Sequence, residues 1–275
     1  MKRRRSPAAK IGLAAVVALV AIYALFPLYW MIISGLRDRP HLYDPKLTPG
    51  PFALSSYNTL FGLTDFPTYF MNSVFVSIIT TILTVLISVP MAYALVRSQL
   101  PGRMLIVRSM LFAYMFPALL LALPIDIFLV RAGLDGTLIG LSVVYLSFTL
   151  PLSVWLLWSF FKGFPFAIEE AALVDGCTRL QAVCRVILPI ISPAVVTVTI
   201  FAFLLAWSDF VFSLILITND SQRTVPFGLV AIIDMYDTDW GVLMAGATLA
   251  SIPLIALFMF LSRYFVTGLS MGAVK

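Results

Sequence analysis

FPTYFMNSVFVSIITTILTVLISVPMAYALV, residues 66–96, contains no Asp, Glu, Lys or Arg. At 1.5 Å of rise per residue, a helix of this length more than covers the roughly 30 Å hydrocarbon core of a bilayer. A helix on a water-facing surface carries a polar stripe, and this one has none of the charges that would make it. The stretch is a transmembrane helix, and the rest of the chain is read outward from it.

The surrounding composition agrees. Of the 275 residues, 61% are hydrophobic and 11% charged, where soluble domains carry about 25% charged residues. A soluble fold of this size needs a polar exterior that so few charges cannot supply. Five further uncharged intervals approach a span in length: Ile11 to Leu36, Ser109 to Ile125, Gly136 to Phe161, Val186 to Ser208, and Trp240 to Ser262. The one starting at Ser109 is short and contains Pro117, so its helix is expected to run past the flanking charges. The prediction is an all-α, polytopic membrane protein with six transmembrane helices. Their approximate positions are 10–36, 66–96, 104–130, 136–161, 186–217 and 240–265 in one transmembrane domain, 1–275, with a cytoplasmic loop at 162–189 and a tail at 266–275.

Basic residues are retained on the cytoplasmic side of a membrane far more than they are translocated. With the N-terminus inside, only Arg37, Arg39, Lys46, Arg131 and Arg223 of the 18 basic residues fall outside. The chain is therefore read as N-in, C-in, multi-pass, in the cytoplasmic (inner) membrane. The Met1-Lys-Arg-Arg-Arg start precedes an apolar run longer than the 7–15 residues of a signal peptide's core, and it reads as the first span. The pI near 9.3 then reflects topology and contact with anionic membrane lipid, with no nucleic acid as partner. Cys177 and Cys184 fall on the reducing side and complete no zinc pattern, so no metal is expected. His41 reads as a solvated loop residue.

Pro90, Pro117, Pro124, Pro151, Pro193 and Pro253 lie within or at the edges of spans. They permit bends suited to a moving channel, although proline is also simply commoner in membrane helices. The first outer loop, from Arg37 to Asp65, predicts a short surface helix near Ser56 to Phe61. The third, Thr218 to Asp239, gathers Asn219, Asp220, Gln222, Arg223, Asp234, Asp237 and Asp239, a dense polar cluster for so apolar a chain.

Between the fourth and fifth spans, Pro165 is placed to start a helix and Gly176 to end it in the left-handed conformation. The predicted helix covers roughly Phe166 to Asp175. It sets the small residues Ala171 and Ala172 beside the acids Glu169 and Glu170, a combination that suits close approach by a basic partner. Thr178 and Gln181 have the spacing of a capping box and predict an immediate second helix, with Leu180, Val183 and Ile187 on one face before Pro189.

Glu170-Ala171-Ala172, three residues, Gly176, nine residues, then Val186-Ile187-Leu188-Pro189 resembles the EAA loop of importer-type ABC transporter permeases. Val186 stands where that pattern usually has Ile. Trp207-Ser208-Asp209-Phe210, the segment from Thr218 through Arg223-Thr224-Val225-Pro226, and the terminal Gly268-Leu269-Ser270-Met271-Gly272-Ala273-Val274-Lys275 are similar to the carbohydrate-uptake, maltose-type branch. With Asn72-Ser73 and Met115-Phe116-Pro117, the likeness covers nearly all of the chain after the first span.

The resemblance implies an importer-type ABC permease fold and a permease subunit of an ATP-driven importer of a sugar or sugar derivative, working by alternating access. It implies coupling to a separate ATPase through Glu169, Glu170, Ala171, Ala172, Asp175, Gly176, Leu188 and Pro189, with Glu170 paired to a basic residue of that partner. The tail, through Gly268, Gly272 and Lys275, would reach between two ATPase subunits. A second homologous permease and an extracellular or periplasmic solute-binding protein complete the implied partners, the latter touching the third outer loop. Asn72, Trp207, Asp209, Asn219, Asp220, Gln222 and Arg223 are candidates for the translocation path or that contact. Asp209 reads equally as a path residue or as an interfacial one, since ionisable groups at membrane depth often line a pathway.

No phosphate-binding Gly-x-x-x-x-Gly-Lys-(Ser/Thr) loop is present, so no cofactor is expected in this chain, and ATP and Mg are expected in the partner ATPase. The competing reading, an ion-gradient-driven secondary transporter, calls for paired charges at mid-membrane, where only Asp126 and Asp209 are weak candidates. An enzyme is not expected, as no catalytic constellation is legible.

Overall fold

The computed structural model describes residues 7–44, 46–48, 50–98, 101–235 and 239–272. The fold is helical, and its β structure among these residues is one isolated bridge between Arg37 and Phe52. The chain divides into two compact units, Met1–Pro67 with Leu229–Ile252, and Thr68–Gly228 with Pro253–Lys275.

The first unit contains α1 (Pro7–Gly35), α2 (Ser55–Leu63), and the start of α13 (Trp240–Gly272). The short surface helix expected near Ser56 to Phe61 is α2. None of the apolar window of α1 is buried in this chain. At its end Gly35 meets α13 closely: a Cβ there would lie 3.0 Å from the Ala245 backbone. Arg37, 1% exposed, organises the following turn. It donates from Nη1 to the Asp44 carbonyl at 2.8 Å and from Nη2 to the Thr48 carbonyl at 3.0 Å, with its guanidinium 5.1 Å from the Trp30 ring.

The second unit is built on α3 (Phe66–Arg97), α6 (Leu138–Lys162) and α10 (Ser192–Ser208). Two buried clusters hold it together. One joins Val89, Ala92 and Leu95 to Val154, Leu157, Phe161 and Val198. The other joins Val76 to Leu141, Tyr145, Ala206 and Phe212. Ser73, Ser77, Thr80, Thr84 and Ser88 are buried at one-turn spacing on α3, and Thr84 meets Thr149 of α6 with hydroxyl oxygens 2.7 Å apart. Small hydroxyl residues allow membrane helices to approach closely without leaving a charge between them.

Four helices are long and apolar enough to cross a membrane, and two bent pairs bring the number to six when each is one span. The first pair is α4 (Arg103–Tyr114) and α5 (Ala122–Ala132), entered through a short turn at Ala118–Leu121. Its halves are bent by 95°. Pro117 lacks the N–H that would carry the helical ladder through this point. The second pair is bent by 81° at Ile191, between Pro189 and Pro193. The segment predicted at 186–217 is correspondingly divided, with α10 ending at Ser208 and α11 covering Val211–Leu216. The final helix, predicted to 265, runs to Gly272.

Candidate functional site

The loop after α6 folds into α7 (Phe166–Val174), then α8 (Arg179–Ala182), a π turn at Val183–Ile187, and α9 (Leu188–Ile190). Pro165 precedes the first helical residue, and Asp175 caps the last. The Gly176 N–H donates to Leu173 and the Cys177 N–H to Ala172, closing a Schellman turn. Gly176 has φ +86°, a conformation in which a side chain would be strained. The next helix starts at once: the Gln181 N–H donates to Thr178 Oγ1 at 3.3 Å, and the Thr178 N–H to Gln181 Oε1 at 2.9 Å. This is the capping box that the sequence predicts. The π turn follows from Pro189, whose missing N–H and bulky ring disturb the bond to the residue four back.

The sequence suggests that the acids and alanines of this helix share one partner-facing side. The structure divides them. Glu170, Ala171 and Val174 are exposed, whereas Glu169 and Ala172 turn inward. Phe166 and Glu169, three residues apart on one side of α7, both meet α3. Glu169 Oε2 lies 2.6 Å from Arg97 Nε, and the Tyr93 hydroxyl donates to Glu169 Oε1. The Arg97 guanidinium stacks 3.7 Å from the centroid of the Phe166 ring. Leu180 also departs from its predicted face: it is 72% exposed, while Val183 and Ile187 are buried. Leu180 is the second residue of α8 and lines an open groove with Val85, Leu86 and Pro90 of α3. Leu188 is half-buried and Pro189 exposed.

The outward side of α7 is therefore Glu170, Ala171 and Val174, an acid beside small and apolar groups. Of the tail residues, Gly268 and Gly272 continue α13 as backbone helix, and Lys275 lies outside the described residues.

The candidates at the other end of the unit are brought together. Asn72, in the second turn of α3, donates from Nδ2 to the carbonyls of Ser221 and Arg223, each at 2.9 Å. Asn219 accepts the Ser221 N–H, Asp220 pairs with Arg223 at 2.7 Å, and Gln222 Oε1 accepts the Leu138 N–H at 3.4 Å. Arg223 stacks over Phe227 at 4.7 Å. Asp237 of the same loop lies outside the described residues, and Asp234 belongs to α12 (Val225–Met235).

Trp207 and Asp209 are placed apart from this cluster in role. Trp207 is 3% exposed, stacked on Phe203 and edge-on to Phe70, so its ring faces are taken up by packing. Asp209 stands where α10 stops. Its Oδ1 accepts the Phe212 N–H at 2.9 Å and the Tyr145 hydroxyl at 2.8 Å, which caps α11 and ties the break to α6.

Residues 84–271, which include the loop after α6 and Asp209, match the family model described as the binding-protein-dependent transport system inner membrane component. The chain belongs to this family. It is 32% identical over 279 residues to the inner membrane ABC transporter permease protein YcjP of Escherichia coli, covering 100% of both chains. It is 34% identical over 260 residues to the trehalose/maltose transport system permease protein MalG of Thermococcus litoralis, covering 94% of each. The diacetylchitobiose uptake system permease protein DasC of Streptomyces coelicolor is 30% identical, with 91% of this chain and 92% of that one covered. Among solved structures, a bacterial ABC transporter involved in import of the acidic polysaccharide alginate superposes with a TM-score of 0.82 at 20% identity, covering 96% of this chain and 100% of that one.

As a member of the binding-protein-dependent transport family, the chain is a multi-pass inner-membrane permease subunit and not an enzyme. The family works with a partner permease, an ATPase and a solute-binding protein. An ATP-driven importer is supported over an ion-gradient-driven carrier.

Three residues that organise the site escape the sequence reading: Tyr93, Arg97 and Tyr145. Arg97 enters it only as a topology charge. The Tyr93-x-x-x-Arg97 spacing, which puts an aromatic hydroxyl and a cation on one helical face at the end of a span, is the available signal.

Proposed function

We propose that this permease carries a sugar or sugar derivative through the inner membrane, driven by a pair of ATPase subunits that dock on α7 and α8. A second, homologous permease would complete the pore. The observation that carries the docking is the side of α7 left exposed, with Glu170 beside Ala171 and one turn from Val174. An acid framed by small and apolar groups complements a basic residue in an apolar cleft. Asp175, Gly176, Leu188 and Pro189 serve this contact indirectly, by setting the angle between the helices. Gly268, Gly272 and Lys275 are proposed as a second contact between the ATPase subunits, which would hold the ATP and Mg. The cluster of Asn72, Asn219, Asp220, Gln222 and Arg223 is proposed to meet the solute-binding protein. The cargo class is drawn from relatives named for trehalose, maltose and diacetylchitobiose uptake.

The test is copurification of the tagged chain from its native membrane, with ATP hydrolysis measured with and without Glu170→Arg. An ATPase is expected in the wild-type complex, with its recovery or coupled activity lowered about 10-fold or more by the reversal, as for a desolvated charge pair. Recovery of the wild type with no ATPase would defeat the proposal. Coupling unchanged by the reversal would remove the role of Glu170.

A further inference from the structure

Docking on the outward side of α7 leaves open how its displacement reaches the membrane spans. α7 is joined to the chain by Gly163–Pro165 before it and the Gly176 turn after it, and on those connections alone it would swing like a flap. The inward side provides the stop. Tyr93 and Arg97 lie one turn apart at the end of α3, and Phe166 and Glu169 lie one turn apart at the start of α7. Carboxylate, guanidinium, phenol and ring meet there, and the charged side chains are 8% and 10% exposed. Neither amino nitrogen of Arg97 has a hydrogen-bond acceptor among the described residues. Separating α7 from α3 would therefore strip an enclosed cation of its counter-charge.

The same helix reaches the outer cluster. Asn72 holds the Ser221 and Arg223 carbonyls at a position about 38 Å along the helix from Arg97, at 1.5 Å per residue. We propose that Tyr93, Arg97 and Glu169 are positioning residues that lock α7 to α3, so that displacement of α7 by the ATPase moves α3 as a rod and is delivered to the outer loop through Asn72. The inference rests on the docking of α7 proposed above.

The experiment uses the full transporter in proteoliposomes, with Cys177 and Cys184 replaced by serine and a spin label on Ser221→Cys. ATP with vanadate traps the closed ATPase, and the spectral response of the label reports the outer loop. The wild-type background responds. In the neutral double variant Arg97→Met, Glu169→Met, ATP hydrolysis persists within about 2-fold while the label response falls about 5-fold or more, the scale of an ordinary coupling free energy. A purely structural role would lower both together. The charge swap Arg97→Glu, Glu169→Arg restores the response to within about 2-fold of wild type. If the neutral double does not assemble, the swap decides the matter: a response that stays absent in an assembled swap variant overturns the lock. A full response in the neutral double also overturns it. Absence of the ATPase from the wild-type complex would instead overturn the docking beneath it.

Discussion

Tyr145, two turns into α6, donates its hydroxyl to Asp209 Oδ1 at 2.8 Å, and the same carboxylate oxygen accepts the Phe212 N–H at 2.9 Å. One acid thus both starts α11 and fastens the break in the fifth span to a neighbouring helix. Asp209→Ala removes these bonds, with a longer one from the Ser213 N–H, and should cost about 1–3 kcal/mol, read as a lower unfolding temperature in detergent. Tyr145→Phe leaves the cap intact and should cost about 1 kcal/mol or less. Equal losses from the two variants would show that the cap contributes nothing.

The adjacent acids of α7 should behave oppositely. Glu169→Ala leaves Arg97 enclosed without its counter-ion, a change that costs about 3–5 kcal/mol. Glu170→Ala, at an exposed position, should change stability by no more than about 0.5 kcal/mol. Thermal unfolding of the isolated chain separates them, and ATPase capture should show the reverse sensitivity at Glu170.

Gly176 offers open space to a Cβ but has φ +86°, so its substitution tests backbone strain without steric conflict. Gly176→Ala should cost about 1–2 kcal/mol. Gly176→Asn should cost less, because asparagine tolerates the left-handed region. Equal unfolding temperatures for the two variants would count against the Schellman turn.

Gly228 is a packing glycine. A Cβ there would sit 2.1 Å from the Tyr69 ring, and Tyr69 is 4% exposed with little room to move. Gly228→Ala should destabilise by about 1–3 kcal/mol through overpacking. Adding Tyr69→Leu should recover part of the loss in a double-mutant cycle, and additive losses would rule the contact out.

Asn72→Ala unties the Ser221 and Arg223 carbonyls. Stimulation of ATP hydrolysis by the solute-binding protein should fall about 5-fold or more while basal hydrolysis is kept, if the outer cluster meets that protein. Unchanged stimulation would assign Asn72 to local structure alone.

The uncharged intervals reveal the helical, membrane-spanning class because hydrocarbon admits no charge without a partner, and that constraint is written residue by residue. The turn at Gly176 and the box at Thr178 and Gln181 are legible for a similar reason: the backbone needs those groups at those offsets. The sidedness of α7 is not legible locally. Glu169 and Glu170 are the same residue type one step apart, and only Arg97, more than seventy residues earlier, decides which of them turns inward. Trp207 is hidden in the same way, since its stacking on Phe203 and Phe70 depends on a second helix. Asp209 divided the sequence reading between pathway and interface. A helix cap is a third possibility that the residue's own spacing to Phe212 allows.

The 95° break at Met115–Pro117 carries a consequence for assembly. Non-helical backbone survives at membrane depth only inside protein or beside water, because lipid offers its carbonyls no donor. Met115 and Phe116 are 75% and 47% exposed in this chain. If the break lies at that depth, a lone subunit in lipid would present bare peptide dipoles to hydrocarbon. Solitude would then be the strained state of this polypeptide, and company its solvent.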